Sequence, residues 1–108
     1  MTVLARGEAK LPPLRRKTID VPELGGEVIA QALTLSESLR ISMMDIEPRM
    51  RLPHILAVGI LAADMKPLWS VGEWDQFGSV DENRVACMEL CGAIFDLSKS
   101  EKKPSPQT

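Results

Sequence analysis

Between positions 34 and 82 the chain repeats one helix-start signal three times: Thr34-Leu35-Ser36-Glu37, Ser70-Val71-Gly72-Glu73 and Ser79-Val80-Asp81-Glu82. In such a box the first hydroxyl accepts from the backbone N–H three residues on, and the acidic side chain at the fourth position accepts from the first residue's own N–H. Each box therefore satisfies donors that a helix end would otherwise leave orphaned. Helices are expected to open at Leu35, just after Ser70, and at Val80, the last running to Ser98. Pro53 marks the start of another, because its missing N–H has no helical partner at that position anyway.

Ahead of the first box lie two β-prone runs, Thr18-Ile19-Asp20-Val21 and residues 27–33, separated by Pro22-Glu23-Leu24-Gly25-Gly26. Proline stops the first ladder and the glycines permit positive φ in the reversal, so a β-hairpin is expected. Alternation puts Ile19 and Val21 on one face with Val28 and Ala30, and Asp20 and Gln31 on the wet face. An isolated hairpin is barely stable in water, so its apolar face needs cover, which the helices are expected to provide.

Leu35, Leu39, Met43 and Ile46 recur at four, four and three residues, an apolar stripe ending near Pro48. Residues 54–65 are apolar on nearly all sides. One continuous helix is expected there, covered from several directions and in part by a partner subunit. In the final helix, Glu82, Glu89 and Asp96 mark the wet side, and Ala86, Cys87, Leu90, Cys91, Ile94, Phe95 and Leu97 form a wide apolar surface. The fold class that follows is α+β, mostly α: an N-terminal β-hairpin packed on a bundle of about four helices.

A chain of 108 residues is long enough for one domain with a modest core. The expected organisation is a flexible basic arm over 1–17, a single hairpin-plus-helices domain over 18–99 and a disordered tail over 100–108. A net charge of −2 gives no general attraction to phosphate backbones. The longest apolar stretch, 55–63, is far shorter than the roughly 20 residues that span a bilayer. The N-terminal region shows no apolar core of an export signal, so neither nucleic acid nor membrane is expected as a partner, and the cytoplasm is the expected location.

Catalytic constellations are sparse. Cys87 and Cys91 share a helix face, but two thiolates do not close a tetrahedral metal shell and His54 is the single histidine. A cysteine nucleophile would also need a base and an orienting group. Asp81 and Glu82 are accounted for by helix capping and the helix dipole. Neither enzyme activity nor a cofactor or metal is expected.

What stands out is soft apolar surface: six methionines and two tryptophans in a chain with only two phenylalanines. Met43, Met44 and Met50 cluster near the end of the first helix, and Leu68, Trp69, Trp74 and Phe77 form a second cluster. Methionine adapts to irregular partners and aromatic residues dominate interfaces, so these seven are the candidate partner-binding residues. The alternative is that they fill one small core.

The order of parts adds a resemblance. The run T-I-D-V-P-E-L-G-G-E-V-I-A-Q-A-L-T-L-S-E-S, an apolar helix, the turn D-M-K-P-L-W-S, a short capped helix and a long closing helix resemble the tail assembly chaperones of long-tailed bacteriophages. The likeness covers about residues 17–99. Ala30 and Ala32 depart from the larger or charged residues common there, and Met65 stands where the family's turn usually has glycine. The resemblance implies a protein of the host bacterial cytoplasm, absent from the mature virion, that binds the tape measure protein and keeps it soluble during tail tube polymerisation. It also implies a homo-oligomer, ring or spiral, with the tail tube protein as a further partner. Two other classes fit the residues: a permanent structural tail or head-tail junction protein, and a small helical DNA-binding regulator using basic residues 6–17.

Overall fold

In the computed structural model, which describes residues 3–8 and 11–99, the chain enters its sheet at Arg16. Strand β1 spans Arg16–Val21 and β2 spans Gly26–Gln31, antiparallel, with Ile19 opposite Val28 and Lys17 opposite Ala30. Val21, Val28 and Ala30 are buried and Ile19 packs against them, while Asp20 is exposed, as alternation requires. The reversal is a 3-10 turn over Pro22–Leu24 closed by Gly25 at φ 84°, where a side chain would be strained. The strand begins two residues inside the expected arm, and Ala32 N donates to Arg15 O at 3.0 Å, so the sheet register continues past the strand ends. The expected tail at 100–108 lies outside the described residues.

Two of the three boxes form. Helix α1, Leu35–Ser42, is capped reciprocally: Glu37 N donates to Thr34 Oγ1 at 3.1 Å, and Thr34 N donates to Glu37 Oε1 at 2.9 Å. It stops well before Pro48. Ser42 Oγ turns back onto Leu39 O, and Arg51 Nη2 donates to Met44 O at 3.1 Å in the loop that follows.

Helix α2 spans Leu52–Gly59, with Pro53 in its first turn. The continuous helix expected over 54–65 does not form, because Ile60–Leu61 leaves the helix as strand β3 and pairs with Ile29 and Ala30 of β2. Gly59 is a weak helix former and Ile60 is β-branched, so local preference opposes continuation. The free side of β2 supplies a better partner, and Ile60 and Ala30 are both 0% exposed there. The small residue Ala30 thus sits beside Ile60 in a regular ladder. The sheet order is β1-β2-β3.

After β3 the chain reverses over 62–66. Ala62 N donates to Lys66 O at 2.8 Å, and Lys66 N donates to Asp64 Oδ1 at 3.1 Å. Met65 takes φ 67°, the single positive-φ residue other than glycine among those described. The turn demands the left-handed conformation that glycine adopts freely, and methionine occupies it at a cost of roughly 1–2 kcal/mol.

Helix α3, Val71–Phe77, carries the second box, with Glu73 N on Ser70 Oγ at 3.3 Å and Ser70 N on Glu73 Oε1 at 3.0 Å. The third box does not form. Helix α4 spans Asp81–Ser98 with Val80 at its cap position and no side-chain cap; Ser79 Oγ donates instead to Gln76 O at 2.7 Å. Nine residues after α3's own cap, Ser79 is still bound up with the end of the preceding helix, and the start slips by one residue. Arg84 pairs with Asp81 at 3.2 Å in the first turn.

The core joins the inner sheet face to α2, α3 and α4. Its wholly enclosed large side chains are Leu56, Ile60, Trp74 and Ile94. At Gly59 a Cβ would collide with the Ile94 side chain, so α2 and α4 approach as closely as a glycine permits.

Candidate functional site

The seven residues singled out by composition separate into three environments. Trp74 belongs to the core at 1% exposure. Trp69 meets it edge-on at 4.8 Å between ring centroids and Phe77 at 5.7 Å, so the aromatic cluster is first a packing unit. Leu68, Trp69 and Phe77 are half-buried on that unit. Met44 is half-buried, and Met43 and Met50 are exposed.

Three surfaces result. The first is a shallow shelf lined by Trp69, Phe77 and Val80, with Glu73, Gln76 and Asn83 at its border and a volume of about 310 Å³. Val80 is exposed there because it sits at the unused cap of α4.

The second is a groove of about 670 Å³ between the 48–53 segment and α4. Met50, Met88 and Phe95 flank it, all exposed, and Leu56, Trp74 and Cys91 form its deep side. Arg49, Arg51 and Arg84 stand on its lining against one acid, Asp75. Arg51 Nε and Trp74 Nε1 are closed to solvent and have no acceptor among the described residues. Cys87 and Cys91 are buried along the groove's floor. Burial pushes the Cys87 thiol up, and burial followed by the charge of neighbouring Cys87 pushes Cys91 up to about 12, so both are neutral thiols at physiological pH. No group of three or more His, Cys, Asp or Glu among the described residues is arranged to hold a metal ion.

The third is the outer side of α1. Leu35, Leu39 and Met43 are 75%, 50% and 79% exposed, while Ile41 on the same helix is 3% exposed. At about 100° per residue, Ile41 lies on the opposite side of the helix from the stripe. Of the stripe read from periodicity, Leu35, Leu39 and Met43 face solvent and Ile46 falls beyond the helix, which ends at Ser42; Ile41 is the one buried side chain of α1.

Sequence reasoning missed Val80, Met88 and Gly92 as surface features. For Met88 a signal existed: with Val85 and Phe95 it falls off the face defined by Ala86, Cys87, Leu90, Cys91 and Ile94, giving α4 more apolar width than one core needs.

No family model matches the chain, and no curated protein matches its sequence. Among solved structures, the bacteriophage HK97 tail assembly chaperone matches over 80% of this chain and 87% of its own, with TM-score 0.57 and 19% identity. The fold is that of a phage tail assembly chaperone. The hairpin, box and turn motifs resemble those of tail assembly chaperones, and the likeness to the HK97 protein is one of fold. No helix among the described residues is long and apolar enough to cross a membrane.

Proposed function

We propose that this protein is a tail assembly chaperone that binds the tape measure protein and keeps it soluble while tail tube subunits polymerise, without catalysis. The observation that carries the reading is the likeness in fold to the HK97 tail assembly chaperone, shared over most of both chains. The surfaces agree with it chemically. A long helical protein awaiting its tube exposes apolar faces, and a holder needs apolar surface of its own to cover them. The Trp69–Phe77–Val80 shelf is the proposed seat for the tape measure protein: rigid aromatic rings with polar groups at the border are a common composition for an interface centre. The protein acts in the host cytoplasm, assembles with copies of itself, meets the tail tube protein in passing, and is absent from the mature virion.

Co-expression with the tape measure protein of the same phage tests this. The wild-type chain is expected to raise soluble tape measure protein and co-purify with it. Val80→Asp supplies α4 with the side-chain cap it lacks while placing a charge on the shelf, so it is expected to fold at least as well and to capture less. Insoluble tape measure protein despite abundant chaperone would overturn the function. Undiminished capture by V80D would remove the shelf. Recovery of the polypeptide from purified particles would favour a permanent structural protein.

A further inference from the structure

The outer stripe of α1 and the groove beside α4 are different surfaces that match. The stripe from Leu35 to Met43 extends about 12 Å along its helix, and the groove wall from Met88 to Phe95 extends about 10 Å. Between those two side chains sits Gly92, in the middle of an 18-residue helix. Glycine there weakens the helix, yet no packed atom lies within 4 Å of where its Cβ would stand. The fold itself has no use for the missing side chain. A partner backbone approaching between Met88 and Phe95 does.

Charge agrees with shape. The groove presents Arg49, Arg51 and Arg84 against Asp75. Residues 34–47 carry Glu37, Asp45 and Glu47 against Arg40. Arg49 and Arg84 are already paired with Glu47 and Asp81, but those pairs are exposed and exchange readily for others. The chain's own ends are poor occupants. Residues 100–108 offer two lysines, one acid and no large apolar side chain, and residues 1–17 bring further positive charge to a cationic rim. The stripe cannot fill its own groove, since Ile41 fixes α1 with the stripe turned away from the domain.

We propose that the α1 stripe of one copy (Leu35, Leu39, Met43) seats in the α4 groove of the next (Met50, Met88, Phe95), with Gly92 as the notch that admits it. This rests on the self-assembly in the proposed function and specifies its contact. Because the two surfaces differ, the contact is heterologous: each copy uses its stripe forward and its groove behind, and the chain of copies either closes into a ring or runs on as a spiral.

The test uses two variants that leave the core alone. Leu39→Asp disables the stripe and Gly92→Trp fills the notch; circular dichroism checks that each retains the wild-type helix content, with Met43→Glu and Met88→Glu as replacements should either fail. By light scattering on a sizing column, each variant alone is expected to be monomeric, with association weakened at least about thirtyfold, as for loss of an interface hot spot. An equimolar mixture is expected to form a one-to-one dimer and nothing larger, since one intact stripe meets one intact groove. Wild-type assembly by either folded variant, or a mixture that stays monomeric, would overturn this contact while leaving self-assembly in place. A wild-type chain that is monomeric at every concentration would overturn both.

Discussion

Helices α1 and α2 have the same length, eight residues each, and are held by opposite means. Helix α1 has a complete capping box, one buried side chain and an apolar stripe in water. Helix α2 has no side-chain cap, and Ile55, Leu56 and Gly59 are buried among β3, α3 and α4. A helix whose start is secured locally can turn its apolar face outward and still form. One without such a signal exists only because its neighbours enclose it. The surplus apolar surface of this chain therefore lies on α1 and along α4, and not, as the composition of 54–65 suggested, on α2.

The sharpest way to break this contrast is to remove the same atoms from both helices. Leu56→Ala empties a site that is 1% exposed and is expected to cost about 2–5 kcal/mol of unfolding free energy in urea titrations. Leu39→Ala, at a site that is 50% exposed, is expected to cost about 0.5 kcal/mol or less when the monomer is measured. Similar losses at both positions would mean that α1 is packed inside the monomer.

Two glycines sharpen it further, with opposite signs. Gly59→Ala drives a methyl group into Ile94 where α2 meets α4, and overpacking of this kind costs about 1–3 kcal/mol. Gly92→Ala meets nothing within 4 Å and restores helix propensity to α4, so it is expected to stabilise by up to about 1 kcal/mol. Chemical denaturation of the two variants side by side reads both signs. A destabilised Gly92→Ala would show that the groove wall is packed, and would remove the ground for reading Gly92 as a notch.

The hairpin and two of three capping boxes were legible in the sequence because they are local: their partners lie within a few residues, so residue type and spacing determine them. The break at Gly59 was not, since what ends α2 is a hydrogen-bonding partner, β2, some thirty positions earlier in the chain. Periodicity found the stripe on α1 but could not say which side faced the domain; a single isoleucine, Ile41, decided that by being the residue other elements enclosed. Composition likewise could not separate Trp74 from Met43. Both are large and soft, and the difference between core and surface came from the tertiary meeting of α2, α3 and α4.

The smallest expected effect probes α1 through its cap. Thr34→Ala removes the oxygen that accepts from Glu37 N, a change that typically costs about 1 kcal/mol. Because α1 is tied to the domain chiefly by Ile41, that loss should appear as local opening and not as global unfolding. Hydrogen exchange at the α1 amides is expected to accelerate about fivefold, the equivalent of that energy, with α2 and α4 amides unchanged. Ser79→Ala removes no cap, since α4 begins without one, and should leave the first-turn amides of α4 at their wild-type rate. If Thr34→Ala instead speeds exchange in α2 as strongly as in α1, the two helices open together, and a helix that opens only with the core cannot be the independent, outward-facing element that its exposed leucines describe.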